Sequence, residues 1–177
     1  MSDRITTTHV GSLPRSAAVT EVLFAREADA QRDTAGDAAV ISAAVAEVVE
    51  RQKRLGIDLV SDGEMSKISY ATYIARRFSG FDGDTPREPG QDLVEFPGLL
   101  RKLAERGSTT NYIEHPELVA ERIERFAQVV GRERVVAGTD CGFGTFGGFG
   151  PVEPDIAYLK LRSLVEGAQI ASSRLWR

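Results

Sequence analysis

The fold class is decided by the stretch GIDLVSDGE, residues 56–64. Its apolar part, Ile57–Val60, predicts a short buried strand that ends in turn residues. Before it, Thr34–Leu55 places apolar residues at helical spacing, and a glycine then stops the helix. Earlier still, Arg4–Val10 is rich in threonine and β-branched residues and predicts a first strand. Strand, helix and strand joined by a short loop indicate a parallel βαβ unit.

The C-terminal third shows the same alternation of helices and strands. His115 and Pro116 predict the start of a helix, with proline at its first position, and Gly131 predicts its end. Arg134–Ala137 then predicts a strand. A loop rich in glycine and phenylalanine follows, and a last helix is expected from about Glu153 to Trp176. The fold class expected from these elements is α/β with parallel strands.

The middle of the chain has a different composition. Residues 78–92 contain glycine, proline and many acidic residues, which predicts a long loop. A short helix at Phe96–Arg106 and a fourth strand near Ser108–Thr110 remain open alternatives. We expect a single domain over residues 1–177. Its parts are an N-terminal βαβ part (1–77), a middle part (78–110) and a C-terminal βα part (111–177).

Composition narrows the class of function. The chain has 177 residues, 42% of them hydrophobic, and a net charge of −4, which argues against a nucleic-acid partner. Its single cysteine, Cys141, excludes a disulfide within the chain and favours an intracellular protein. No apolar run is long enough to span a bilayer, and residues 1–15 lack the apolar segment of a signal peptide. We therefore expect a cytoplasmic protein without a membrane partner.

Four stretches resemble the catalytic barrel of the cobalamin-independent methionine synthase family. Residues 6–15 (TTTHVGSLPR) are similar to its first strand and loop, and residues 56–64 to its second strand and the Gly-Glu after it. Residues 135–142 (VVAGTDCG) resemble its last strand, and Tyr158–Trp176 its final helix.

This resemblance implies a TIM (β/α)8 barrel and a methyltransferase of methionine biosynthesis. A catalytic zinc in that family activates a thiol such as homocysteine, which receives a methyl or related alkyl group from a donor such as methyltetrahydrofolate. By the same resemblance, Cys141 is a metal ligand, and Gly11, Ser12 and Glu64 bind the substrate. Their positions fit, because each lies just past the end of a predicted strand, where barrel enzymes place their active sites.

The chain departs from the family pattern in its middle. A complete barrel needs about 250 residues. The family's His-x-Cys pair is absent, and Thr109 stands where the family carries a histidine or lysine. We therefore expect an incomplete barrel with a deletion junction at 78–110. Its parallel strands would correspond to barrel strands 1, 2, 8 and part of 7, with open sheet edges that permit self-association.

Several of these residues also have a plain structural interpretation. Turn chemistry alone accounts for Gly11 and Ser12, and a helix-start or turn position accounts for Glu64. His9 is expected to be a structural histidine, and His115 a helix cap. The glycines of residues 142–150 match no phosphate-binding pattern and predict a flexible loop. The alternative to an active methyltransferase is a catalytically silent, truncated remnant that lacks the full zinc site.

Overall fold

The computed structural model describes residues 3–29, 34–69, 73–74, 78–80, 112–139, 141–144 and 152–177. The predicted short helix at 96–106 and fourth strand at 108–110 lie outside these residues, as does nearly all of the middle part. The described elements, in chain order, are β1 (Thr6–Thr7), α1 (Ala17–Ala28), α2 (Ala35–Leu55), α3 (Pro116–Val130), a 3-10 turn (Arg132–Arg134), β2 (Val136–Ala137) and α4 (Pro154–Leu175).

Three chain segments pair in parallel around β1. Thr6 pairs with Val136 and Thr7 with Ala137 on one side. On the other side Thr8 forms a parallel bridge with Leu59, whose amide donates to the Thr7 carbonyl at 3.0 Å. Parallel pairing of the first segment with both others is thus confirmed, and the described residues form a mixed α/β fold. The correspondence with particular barrel strands is not established by so few pairs.

The strands are shorter than predicted. Arg134 was expected to begin the last strand, but it lies in the 3-10 turn, where its amide donates to the Gly131 carbonyl at 3.1 Å. The predicted strand at 57–60 contributes only the Leu59 bridge. The backbone groups left unpaired at a helix end often bond within a local turn. Residues in such a turn are not extended, so they cannot pair in the strand that follows.

Helix α1 was not predicted from the sequence. Ser16 caps its first turn by accepting a hydrogen bond from the Val19 amide, and Val19 and Leu23 are buried on its inner face. The expected helix caps elsewhere are confirmed. Gly56 ends α2 in a left-handed conformation (φ 84°), which glycine adopts without strain. The His115 ring accepts a hydrogen bond from the Glu117 amide at 3.2 Å, so His115 is a helix cap.

Helix α4 lies at the centre of the core. Its buried residues Tyr158, Leu161 and Val165 belong to a cluster with α1 and α2. Ala168 and Ala171 pack with Ile5, α3 and Ala137 in a second cluster. None of the described helices is long and apolar enough to cross a membrane.

One face of the paired segments is not covered by described residues. Ile5, Thr7 and His9 are buried. Val10, Leu59 and Val136 are all at least 50% exposed. Alternate residues of a strand face opposite sides, so the outward set defines a second, open face. Self-association through this sheet stays a prediction.

Asp58 organises the amino-terminal end of the sheet. Its carboxylate accepts bonds from both terminal nitrogens of Arg4 and from the amide and hydroxyl of Thr7. The Arg4 guanidinium, helped by Thr7, holds the pKa of Asp58 below its ordinary value despite partial burial of the carboxyl. These bonds join the first segment to the second and therefore contribute to stability.

We expect Asp58→Asn to lower the free energy of unfolding by about 1–3 kcal/mol at pH 7, because bonds to a charged carboxylate are lost. The folded pKa is depressed, so this contribution is fully present above about pH 4 and is lost as the pH falls through the folded pKa. Urea unfolding of both proteins between pH 7 and pH 3 measures it. A stability difference that stays constant across that range would contradict the assignment.

Candidate functional site

Three segments meet at the carboxyl end of the paired strands: residues 11–15, 61–65 and 141–144, here called the strand-end cluster. The Leu13 amide donates to the Gly63 carbonyl at 2.9 Å, and the Phe143 amide donates to the Ser12 carbonyl at 2.7 Å. The structure thus brings together the segments that carry Ser12, Glu64 and Cys141, as their positions after strands predicted. The roles of these residues stay predictions.

The Ser12 hydroxyl is used within the cluster. Ser12 is 2% exposed, and its hydroxyl donates to the Gly144 carbonyl and accepts from the Gly144 amide at 3.1 Å. A serine hydroxyl has one hydrogen to donate, so it has none left for a ligand while the Gly144 bond stands. The turn interpretation therefore accounts for the Ser12 side chain.

The glycines of the cluster permit close approach of two backbones. A methyl group at Gly142 would lie 2.0 Å from the Ser12 nitrogen, and one at Gly11 would lie 2.4 Å from the Gly142 nitrogen. Gly11 also has φ 87°, a left-handed conformation. Gly142 thus lies in a close contact of two backbones, whereas Gly144 is held by its two hydrogen bonds to the Ser12 hydroxyl. Gly147, Gly148 and Gly150 lie outside the described residues.

Glu64 holds a strained backbone conformation. It has φ 54°, the only positive value among the described residues other than glycine. Its amide donates to the Asp62 carboxylate at 2.9 Å, its own carboxylate lies 3.7 Å from the Lys67 ammonium, and its side chain is 18% exposed. Left-handed backbone at such a residue costs about 1–3 kcal/mol and concentrates at functional sites. Glu64 is therefore the strongest functional candidate in the cluster.

His9 lies beneath the cluster, between the first and last segments. It is 3% exposed, stacks on the Phe143 ring at 5.5 Å, and its Nδ1 lies 3.1 Å from the Thr139 hydroxyl. Its Nε2 has no hydrogen-bond partner among the described residues. Burial lowers the pKa of His9 below its ordinary value, against the opposing effect of the Gly11 and Ser12 backbone. The imidazole is thus neutral near pH 7, which fits the structural role expected for it.

The donor atoms present do not form a zinc site. Cys141 is an exposed free thiol, and no group of three His, Cys, Asp or Glu residues within the described ranges is placed to hold a metal ion. A catalytic zinc normally has three protein ligands and one open position. The described residues therefore do not fit the zinc that the resemblance implies.

A cavity of about 180 Å³ lies at the opposite end of the sheet, beside Arg4, Asp58 and Ser172. Its charged groups and hydroxyls bond to one another or to nearby backbone. Asp58 pairs with Arg4, and the Ser172 hydroxyl accepts from the Ile5 amide and donates to the Ala168 carbonyl. These bonds join the first segment to residue 58 and to α4, which gives the polar groups of Arg4, Asp58 and Ser172 a structural role.

The sequence signals did not identify Arg15. Its guanidinium donates to the Gly144 carbonyl at 2.9 Å and to the Glu64 carbonyl at 3.1 Å. It follows Pro14 at the end of the first motif, but nothing in that position indicates backbone carbonyls as its partners. Gln52, which binds the second segment from α2, was missed for the same reason.

The segments pair in parallel, and polar residues follow their carboxyl ends. Proteins of the α/β class place their functional sites at this edge of the sheet. The family model of the cobalamin-independent synthase catalytic domain matches residues 5–88. Over these residues, just under half of the 177 in the chain, the sequence is similar to that family, and the resemblance expected from the sequence is confirmed there. The match includes Gly11, Ser12 and Glu64 and ends before Cys141.

A comparison with curated proteins finds no relative of this chain, and no solved structure matches it. The deletion in the middle part and the correspondence of residues 135–142 and 158–176 with the family's last strand and helix therefore stay predictions.

Proposed function

We propose that the chain carries the substrate-holding side of a site for thiol methylation, of the kind that the cobalamin-independent synthase family uses. The observation that supports this most is Glu64, a strained residue within the matched range whose partly buried side chain lies at the strand ends. Its ligand would be the ammonium group of an amino-acid thiol such as homocysteine. Methyltetrahydrofolate or a related compound would be the methyl donor.

The charges around Glu64 suit an ammonium group. Lys67 pairs with the carboxylate, and at 3.7 Å it makes a loose ion pair rather than a short bond. Lys67 also lies 5.0 Å from the centre of the Tyr73 ring, which offers it an alternative partner. A ligand ammonium can therefore displace Lys67 from the carboxylate at little cost, since a partly exposed ion pair contributes about 0–1 kcal/mol.

Zinc, when bound in this family, keeps the substrate thiol deprotonated and nucleophilic. Here the described donors do not complete such a site, and Cys141 is the one cysteine in the sequence. We therefore assign ligand holding to Gly11, Ser12 and Glu64 and no metal-dependent step to this chain. The Ser12 hydroxyl is already bonded to Gly144. In this proposal Gly11 and Ser12 therefore border the ligand through their backbone atoms.

A second candidate function follows from the same incomplete donor set. The chain would be a catalytically silent remnant of the family whose strand-end cluster serves only to hold the loops together. The supporting observation is the internal satisfaction of Ser12 and the close backbone contact at Gly142. The two candidates differ in whether Glu64 binds an amino-acid thiol.

Calorimetric titration with L-homocysteine tests the proposal. We expect saturable binding that weakens at least about tenfold in Glu64→Gln, because a charged hydrogen-bonded pair contributes about 1.5–3 kcal/mol. The compound 4-mercaptobutanoate, which lacks the amino group, serves as the ligand control and is expected to bind the wild-type protein and Glu64→Gln equally weakly. Homocysteine binding that is unchanged in Glu64→Gln would contradict the role of this carboxylate.

Glu64→Gly separates binding from stability. Glycine adopts φ near 54° without strain, so this variant is expected to be at least as stable as the wild-type protein in urea while losing homocysteine binding. A loss of stability of more than about 1 kcal/mol would show that Glu64 is kept for the fold rather than for a ligand.

A further inference from the structure

Arg15 joins the two segments that carry Glu64 and Cys141. Its Nη1 donates to the Gly144 carbonyl at 2.9 Å, and its Nη2 donates to the Glu64 carbonyl at 3.1 Å. The Ser12 hydroxyl donates to the same Gly144 carbonyl. One guanidinium thus bonds to the backbone of two segments that are distant from each other in sequence.

The surroundings of Arg15 hold this geometry. The side chain is half-buried, and its Nε is buried with no hydrogen-bond partner among the described residues. Burial lowers the pKa of Arg15, and the carboxylates of Glu64 and Asp62 oppose that effect. An arginine remains charged at neutral pH in such surroundings, and its planar fork presents two donors at a fixed angle.

We propose that Arg15 is a positioning residue that fixes the Glu64 backbone against the loop of Cys141 and thereby sets where the Glu64 carboxylate meets a ligand. The contact to the Glu64 carbonyl acts at the strained residue itself, so its loss lets φ of Glu64 relax away from 54°. The role of Arg15 in positioning Glu64 for a ligand rests on the proposed function, whereas the link between the two segments does not.

Lysine at position 15 is the informative substitution. It keeps the positive charge and most of the stem, but a single ammonium is a compact point charge that does not reproduce the two-pronged geometry of the guanidinium. Arg51→Lys is the matched control. Arg51 is also a partly buried arginine; it stacks on the Tyr158 ring and pairs with Asp155, away from the strand-end cluster.

Site-resolved amide hydrogen exchange measures the link. In Arg15→Lys we expect the amides of Leu13, Phe143 and Gly144 to lose at least about tenfold in protection, while amides inside α4 keep theirs, because loops open locally without global unfolding. Arg51→Lys is expected to leave the three loop amides unchanged. The proposal would be overturned if these amides exchanged in Arg15→Lys at the rates of the wild-type protein, or if the amides of α4 lost the same protection.

Homocysteine titration of Arg15→Lys tests whether the link also affects ligand binding. We expect binding to weaken at least about fivefold at an unchanged urea midpoint, since Glu64 is no longer held in place. Equal binding by Arg15→Lys and the wild-type protein would overturn the positioning claim. If the wild-type protein itself does not bind homocysteine, the proposed function fails, and the exchange result alone then decides whether Arg15 links the two segments.

Discussion

Replacing Gly142 by alanine is expected to lower the free energy of unfolding by about 3 kcal/mol or more, because overpacking against a fixed backbone is strongly destabilising. The added methyl group would lie 2.0 Å from the Ser12 nitrogen and 2.8 Å from the Ser12 carbonyl oxygen. Both atoms belong to the backbone, which cannot swing aside as a flexible side chain does. The first and last segments of the strand-end cluster would have to separate.

Gly144→Ala is the matched control, two residues along the same segment. A methyl group there meets its nearest atom, Nη1 of Arg15, at 3.5 Å, which is ordinary van der Waals contact. We expect this variant to change stability by less than about 1 kcal/mol. Urea unfolding of the two variants measures the contrast. Equal stability of Gly142→Ala and Gly144→Ala would show that the close contact of the two backbones does not exist in solution.

Replacing Gln52 by methionine is expected to lower the free energy of unfolding by about 2–4 kcal/mol, because two or more buried polar groups lose their partners. Gln52 is fully buried in α2. Its Nε2 donates to the Ser61 carbonyl at 2.7 Å and to the Val48 carbonyl at 3.1 Å, and its Oε1 accepts from the Ser61 amide at 3.0 Å. Methionine has a similar length and shape, so the change removes the hydrogen bonds with little change in packing.

Gln128→Met provides the control for the Gln52 substitution. Gln128 is exposed on α3, so its replacement is expected to change stability by no more than about 0.5 kcal/mol. Thermal and urea unfolding of both variants give the comparison. If Gln52→Met were as stable as Gln128→Met, the bonds to Ser61 would not hold the second segment of the cluster against α2.

The sequence predicted those parts of the fold that depend on local patterns. Gly56 and His115 ended and began helices as expected, because capping involves residues within one or two turns. Parallel pairing of the three short segments also followed from the alternation of strands and helices. Helix α1 was missed, although Ser16 and the spacing of Val19 and Leu23 carried its signal.

The functional end of the fold was predicted less completely. Because Ser12, Glu64 and Cys141 each follow a predicted strand, the sequence was enough to predict that their segments meet at one edge of the sheet. It did not show that the Ser12 hydroxyl bonds to Gly144, or that Arg15 bonds to two backbone carbonyls. Those contacts join residues far apart in the chain, and backbone acceptors have no sequence signature. The strain at Glu64 is likewise a property of the folded loop alone.

We propose that this chain keeps the substrate-holding side of a methyl-transfer site without a complete metal side. Metal analysis of the dialysed protein, together with an assay for methyl transfer to homocysteine, measures both parts of this proposal. We predict well below one zinc per chain at neutral pH and no methylated thiol, since losing most of a ligand set weakens binding by several of the roughly 10–16 kcal/mol of a full structural site. One tightly held zinc per chain, lost in Cys141→Ala and accompanied by methyl transfer, would show that the metal side is complete and the protein is an active methyltransferase.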